Sequence, residues 1–416
     1  MCALVCILLA AAVLRVLAIL PAFFNLGIAI QHDDFFGLAR SWASTGAYPD
    51  PVFTPLYIAL CKALLGLGDQ AAGRTMLLIQ GCASLATVAL VYRIAIRLQW
   101  RRHAALGAAT LVAIDPILLL YTPLFYTETI FLGLAALAVA LSLEVRSAGS
   151  WPILALLVGV VLGAAILTRA MGVWLVPVVL AVMLTRTKPL RWVGATACVL
   201  VGSGVLVLPW CSQNERAFGH FAISSSGPYN VAAVFLGKAK SDLDARPKSS
   251  WVSEWSDDVD PALYVGRPFE YAGALKQASL KWGRAHPVFV AKEVVRGQAR
   301  AWLGPASGHL ESMFPNSPAT VRSLEVAVVC YRTTLILGFI AGLVSALRRR
   351  RLPDTCVLIS AAWAVFVVLP SGSGGYSRFS VPALPAVHLV TASSIRERRK
   401  EQPERIDAEP SLLRAA

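Results

Sequence analysis

The chain has 416 residues, of which 56% are hydrophobic and only 15% are charged, against about 25% charged residues in an average soluble protein. This composition argues against a set of ordinary soluble domains and predicts an integral membrane protein. The net charge of +14 raises nucleic-acid binding as a hypothesis, which depends on where the charges lie. The eight cysteines show no Cys-x-x-Cys or Cys/His ligand spacing, so neither a disulfide framework nor a zinc site is indicated.

Apolar runs near the length of about 20 residues that crosses a bilayer recur along the whole chain. The first run starts at the initiator Met and has no small-residue cleavage site after it, which predicts an uncleaved span rather than a signal peptide. The expected fold is all-α and polytopic, with about ten transmembrane helices. They are predicted over residues 2–22, 74–96, 104–121, 125–143, 151–168, 172–185, 192–210, 326–347, 355–370 and 377–395.

The connections between these runs alternate in charge. One set of connections, taken with the C-terminal tail, holds 17 basic and seven acidic residues. The positive-inside rule places this side in the cytoplasm, with both termini, and it accounts for most of the net charge without nucleic acid. The predicted localisation is the inner or plasma membrane. The predicted divisions are spans one to seven (1–210), an external subdomain (211–325), spans eight to ten (326–395) and a disordered basic cytoplasmic tail (396–416).

Two long segments fall on the external side, residues 31–72 and 211–325, and long external loops are usually functional. In the first, an apolar stretch over 58–67 is too short to span, so a juxtamembrane helix is expected there. In the second, prolines at 268 and 287 open two predicted helices, Pro268–Ala285 and Pro287–Trp302. Their basic, amphipathic pattern is typical of a membrane surface, and an ordinary packed subdomain is an equal alternative.

Ionisable residues that are far apart in the sequence converge on the external side of this topology. Charged groups near or inside apolar spans are costly, so they usually face a cavity and pair with one another. We expect a functional site here, with a purely structural set of ion pairs as the alternative. The residues concerned are Arg15, Asp33, Asp34, Glu128, Arg169 and Arg378.

The acidic pair Asp33-Asp34 is the sharpest local feature of the first external loop. One of its carboxylates is a candidate general base. The alternative is that Asp33 caps a short helix from Asp34 to Ser44. Glu128 likewise has two interpretations, a ligand for a sugar hydroxyl or an arginine, and a carboxylate stabilised by the helix N-terminus.

Five motifs in order resemble those of the C-type (GT-C) glycosyltransferases, in particular protein O-mannosyltransferases and lipid A aminoarabinose transferases. The resemblance covers residues from about 10 to 395. Two departures stand out, because Gln213 replaces the usual Arg of an Arg-Asn pair and no Lys stands at Phe53 or Thr54, which puts the aminoarabinose substrate in doubt. The motifs are Asp33-Asp34 with Thr54-Pro55-Leu56-Tyr57, Tyr126-Thr127-Glu128-Thr129, Leu167-Thr168-Arg169, Leu208-Pro209-Trp210 with Asn214, and Tyr376-Ser377-Arg378 with Pro382 and Pro385.

The resemblance implies an inverting transfer of a sugar from a polyprenyl-phosphate donor to a hydroxyl of a protein, lipid or glycan acceptor on the external or periplasmic face. It implies Asp33 as general base and Asp34 as the residue that positions it. Arginines suit the donor phosphate because they stabilise the leaving group. The candidate substrate-binding residues are Glu128, Arg169, Arg378, Arg15, Tyr57, Tyr376 and Arg216.

Two other classes of function remain open at this point. A transporter or flippase of an anionic lipid or sugar would use the same charges, although no internal repeat is visible and the charges crowd one face. A membrane scaffold would need no convergence of the charges at all. No cofactor is implied with certainty. The Asp pair leaves a divalent metal open but does not indicate one, because two carboxylates without further ligands are a poor metal signature.

Overall fold

The computed structural model describes residues 2–30, 34–145, 149–184, 188–244, 252–349, 352–368, 372 and 377–393. Within these ranges every regular element is a helix, which confirms the all-α prediction. Three predicted features lie outside the described residues: the candidate base Asp33, the candidate ligand Tyr376 and the tail 396–416.

Five of the described helices are long and apolar enough to cross a membrane. They are α1 (Cys2–Phe24), α4 (Asp69–Arg97), α8 (Trp151–Thr168), α10 (Pro189–Phe218) and α16 (Pro318–Arg349). Shorter or broken helices occupy the other five predicted runs, so a helix stands at each of the ten places and the number of crossings stays a prediction. These are α5 (Arg102–Ile114) with α6 (Pro116–Tyr121), α7 (Glu128–Glu144), α9 (Leu175–Leu184), α17 (Leu352–Val368), and α18 (Ser377–Ser380) with α19 (Leu384–Ser393).

The first external loop contains two helices, α2 (Phe35–Thr45) and α3 (Pro55–Leu64). Asp34 Oδ1 accepts a hydrogen bond from the Gly37 N–H at 2.7 Å and caps α2, which ends at Gly46 in the left-handed region. The sequence-based placement of this cap at Asp33 is therefore wrong by one residue.

The third predicted span is broken in its middle, where Pro116 has no N–H to continue the helix. Asp115 caps α6 through the N–H groups of Ile117 and Leu118. Arg15 satisfies the carbonyls at the end of α5, because its guanidinium donates to Ala113 O at 2.7 Å and to Val112 O at 3.2 Å. An unsatisfied carbonyl inside a membrane costs several kcal/mol. Arg15 is thus a buried helix-capping residue, which replaces the prediction that it binds phosphate.

Small residues bring α8 and α10 into close contact. A Cβ added to Gly159 would lie 2.2 Å from Val199 O, and one added to Gly202 would lie 2.3 Å from Leu156 O. Only glycine allows backbones to approach this closely in a helix pair. The packing matters for the site, because α8 carries Arg169 at its C-terminal end.

The large external loop has a small hydrophobic core of its own. Its helices are α11 (Ser226–Asn230), α12 (Gly237–Asp244), α13 (Pro268–Ala285), α14 (Pro287–Leu303) and α15 (Ser307–Met313), so both proline-initiated helices are confirmed. Leu275 of α13 packs with Leu236 and with Trp255 in this core. On α14, by contrast, the apolar side chains of Val288 and Val295 are 82% and 69% exposed.

Candidate active site

Glu128 is the centre of the candidate site. It lies at the first position of α7 and its side chain is completely buried. Its Oε1 atom accepts a hydrogen bond from Arg378 Nε at 2.6 Å and forms an ion pair with Arg169 Nη1. Thr127 joins the pair, because its hydroxyl accepts from Arg169 Nη1 at 3.2 Å. A buried carboxylate is stable only with such partners.

The three charged residues come from separate parts of the chain. Glu128 begins α7, Arg169 follows α8 in extended conformation, and Arg378 belongs to α18, 250 residues after Glu128. We call these three residues the Glu128 cluster. Two guanidinium groups and one carboxylate give it a net charge of +1, and both arginine side chains keep a little exposure, 16% and 15%. The cluster is therefore a fixed positive centre that suits an anion.

Aromatic rings form one wall of the cluster. The guanidinium carbon of Arg378 lies 3.8 Å from the centre of the Tyr126 ring, a cation–π contact. His309 of α15 packs edge-on against Tyr121 and Tyr126, with ring centres 5.1 and 5.9 Å apart. The large external loop thus reaches the residues that hold Arg378.

The first external loop lies beside the same turn. The Phe125 N–H donates to Ala29 O at 2.9 Å, and the Phe36 ring packs 5.1 Å from the Phe125 ring. The described residues on both sides of 31–33 therefore contact the turn that leads to Glu128. The Asp34 side chain is about half exposed. Its Oδ1 atom accepts the capping hydrogen bond from the Gly37 N–H, and its Oδ2 atom lies 4.0 Å from Arg40 Nη2.

A buried glutamine connects the first loop to the bundle. The side-chain oxygen of Gln80, on α4, accepts a hydrogen bond from the Tyr57 hydroxyl at 2.5 Å. Its side-chain nitrogen donates to the carbonyls of Thr122 and Leu124 at 2.7 and 2.8 Å. Tyr57, predicted to bind substrate, is buried and uses its hydroxyl inside the protein. The tyrosine thus fixes α3 against the turn before Glu128.

The remaining predicted ligand, Arg216, lies on the exposed last turn of α10. Its neighbour Asn214 is buried and donates to Ala222 O at 2.7 Å. The Arg-Asn-like segment therefore has a structural role through Asn214, which closes the chain reversal after α10. Arg216 is not part of the Glu128 cluster.

The sequence analysis assigned no role to four residues that contact the site: Tyr126, Thr127, Gln80 and His309. Gln80 carried a usable signal, because a lone amide in an apolar span is costly unless it is bonded. Tyr126 and Thr127 stood in a quoted motif, but nothing in the sequence gave them contacts. His309 had no signal. Among the described residues, no group of three or more His, Cys, Asp or Glu side chains is placed to hold a metal ion.

Comparison with known proteins gives a family match over part of the chain and a similar fold over most of it. Residues 50–212, less than half of the chain, match the family model of dolichyl-phosphate-mannose-protein mannosyltransferases. The apo oligosaccharyltransferase of Archaeoglobus fulgidus is similar over 94% of this chain and 50% of that one, with a TM-score of 0.56 and 15% identity. Its complex with an inhibitory peptide and a dolichol-phosphate gives a TM-score of 0.55, 14% identity and the same two coverages.

ArnT from Cupriavidus metallidurans, bound to undecaprenyl phosphate, matches 92% of this chain and 77% of that one, with 16% identity and a TM-score of 0.42. No curated protein matches the chain in sequence. The chain spans about half the length of the oligosaccharyltransferase structures that it matches. The chain therefore has the fold of the archaeal oligosaccharyltransferase structures, and its residues 50–212 resemble the mannosyltransferase family.

Proposed function

We propose that the protein is a membrane glycosyltransferase. It moves a sugar from a polyprenyl-phosphate-linked donor to a hydroxyl acceptor on the external or periplasmic face. The observation that carries this proposal is the Glu128 cluster, in which Glu128 holds Arg169 and Arg378 as one positive centre. A donor phosphate is the anion of matching charge, and arginine is the side chain best suited to its oxygens.

The chemistry is a direct displacement at the anomeric carbon of the donor sugar. The acceptor oxygen forms the new bond on the face opposite the phosphate, the carbon–oxygen bond to the phosphate breaks, and the configuration inverts. Polyprenyl phosphate leaves with an added negative charge, which the two guanidinium groups stabilise as it develops. Asp33 takes the proton of the acceptor hydroxyl, and Asp34 fixes the start of α2 next to it.

The donor is itself a membrane lipid, so an enzyme inside the bilayer can bind it without extracting its chain into water. The archaeal oligosaccharyltransferase of similar fold was solved in complex with such a lipid, a dolichol-phosphate. The same complex holds an inhibitory peptide, which supports a protein as one candidate acceptor besides a lipid or a glycan. We also propose that the chain crosses the membrane ten times with both termini in the cytoplasm. Its parts are then divided at residues 210, 325 and 395.

The test is a transfer assay in lipid nanodiscs with labelled polyprenyl-phosphate sugars. Asp33→Asn is expected to abolish transfer and to leave the melting temperature and the binding of polyprenyl phosphate unchanged. Asp69→Asn is the matched control, because Asp69 is an exposed carboxylate that pairs only with Arg40 at 3.4 Å among the described residues. Substantial transfer by Asp33→Asn would reject Asp33 as the base.

A further inference from the structure

Arg332 is a buried cation in the middle of α16, outside the Glu128 cluster. Its side chain is 2% exposed. Its Nη1 atom donates to Gly304 O at 2.8 Å, and its Nη2 atom donates to the hydroxyl of Ser380. A guanidinium is costly inside a membrane protein unless its donors have partners. Besides these two hydrogen bonds, Arg332 interacts electrostatically with the buried carboxylate of Asp115.

The two partners of Arg332 lie in segments that meet at Tyr126. Ser380 is two residues after Arg378, in the same short helix α18. Gly304 ends α14, and α15 follows it with His309, which packs against the Tyr126 ring. Arg332 therefore joins the segment that carries Arg378 to the segment that carries His309.

The turn between α14 and α15 has little freedom. A Cβ added to Gly304 would lie 2.3 Å from Arg300 O, so this position needs glycine. Ala306 has a φ of +63°, a left-handed conformation that costs a non-glycine residue of the order of 1 kcal/mol or more. Such a turn persists only where contacts hold it, and the bond from Arg332 to Gly304 O is one of them.

We propose that Arg332 is a positioning residue that couples the large external loop to the donor site. It sets Arg378 through Ser380, and it sets His309 through Gly304. One part of this proposal, the effect of Arg332 on binding of the donor phosphate, rests on the proposed function. The coupling of the two segments is a separate statement with its own measurement.

Arginine is required here because two acceptors from different segments must be reached at once. The planar guanidinium presents its two terminal nitrogens in a fixed fork, whereas the ammonium of lysine is a single point. Arg332→Lys should therefore keep the charge and one of the two contacts, and give a partial effect. Arg332→Met should lose both contacts.

The first measurement does not depend on catalysis. Hydrogen–deuterium exchange of the protein in nanodiscs is followed by mass spectrometry in peptides covering 304–313 and 377–383. Arg332→Met is expected to raise exchange in both peptides, and Ser380→Ala mainly in the second. Arg348→Met is the matched control, because Arg348 is an exposed arginine near the other end of the same helix and should change neither peptide. Unchanged exchange in both peptides of Arg332→Met would overturn the proposal.

The second measurement separates positioning from a general loss of structure. Binding of undecaprenyl phosphate should weaken by about tenfold in Arg332→Met, the loss expected for one charged hydrogen bond, while the KM for the acceptor stays unchanged. Combined with Arg378→Ala, Arg332→Met should add little further loss, because it acts through Arg378. At independent sites, the loss of affinity in the double variant would equal the product of the two single losses. A double-variant loss within about twofold of that product would contradict the proposal.

The two proposals fail in different ways. If the wild-type protein transfers no sugar but both peptides respond as expected, the coupling stands and the proposed function is wrong. If the wild-type protein transfers sugar and neither peptide responds, the proposed function stands and the role of Arg332 is wrong.

Discussion

Replacing Glu128 by glutamine tests the candidate site most deeply, because the two side chains have the same shape and differ in charge. In the wild-type protein one buried carboxylate accepts from Arg378 Nε at 2.6 Å and pairs with Arg169. In Glu128→Gln an amide faces the same two guanidinium groups. The net charge of the cluster rises from +1 to +2, and the amide can no longer neutralise either arginine.

The size of the effect follows from burial. Breaking a buried ion pair by removing one partner costs about 3–5 kcal/mol, because a charge is left uncompensated. Whole-protein stabilities are about 5–15 kcal/mol, so the variant should fold with a clearly lowered melting temperature. The arginines should also move, so we expect sugar transfer to fall by about 100-fold or more, as each 1.4 kcal/mol lost from transition-state stabilisation is tenfold.

The chain supplies a matched control on the same helix. Glu144 ends α7 as Glu128 begins it, and its Oε1 atom also accepts from two arginines, Arg93 at 2.9 Å and Arg97 at 2.7 Å. The Glu144 side chain is 12% exposed, but its arginine partners are 56% and 47% exposed, so solvent screens these ion pairs and we expect a smaller loss of stability than at Glu128.

Thermal unfolding and transfer assays of Glu128→Gln and Glu144→Gln in nanodiscs measure the difference. Equal small effects of the two changes would refute the argument that burial makes Glu128 the anchor of the site.

Three further changes test other parts of the account. Arg378→Ala should weaken binding of the polyprenyl donor much more than the KM for the acceptor, and equal effects on both would count against phosphate binding by this residue. Gln80→Leu should lower the free energy of unfolding by about 3 kcal/mol, because it leaves the Tyr57 hydroxyl and two buried carbonyls without their partner. Denaturation of this variant beside Gln70→Leu, an exposed site on the same helix, measures the difference, and equal stabilities would contradict the role of Gln80. Gly202→Val should separate α8 from α10 and reduce transfer by displacing Arg169, and a fully active, equally stable variant would show that the close approach is dispensable.

The sequence predicted the helical runs well, because a bilayer demands about 20 apolar residues whatever the tertiary contacts are. It also predicted that Glu128, Arg169 and Arg378 share one end of the bundle, since charges in apolar spans must find partners. For Arg15 the sequence contained one signal, Pro116 inside the span 104–121, but which side chain caps the carbonyls freed by this break is visible only in the structure.

Contacts made by the large external loop were beyond prediction for a different reason. His309 and Arg332 reach the site only through the path of the chain after α14, and no local periodicity encodes that path. Arg332 did have a sequence signal, a charge in the middle of an apolar span, and its partners Gly304 and Ser380 are visible only in three dimensions. Sequence patterns thus located the charges, and the structure located what each charge holds.

The most direct test of the central claim is sugar transfer by the purified protein in nanodiscs, offered a panel of labelled polyprenyl-phosphate sugars and hydroxyl acceptors. The account predicts label on an acceptor hydroxyl with inverted anomeric configuration, release of polyprenyl phosphate, and loss of both products in Asp33→Asn and Glu128→Gln. Intact donor lipid that crosses the bilayer of proteoliposomes, with no sugar transferred from any member of the panel, would contradict it and favour a flippase.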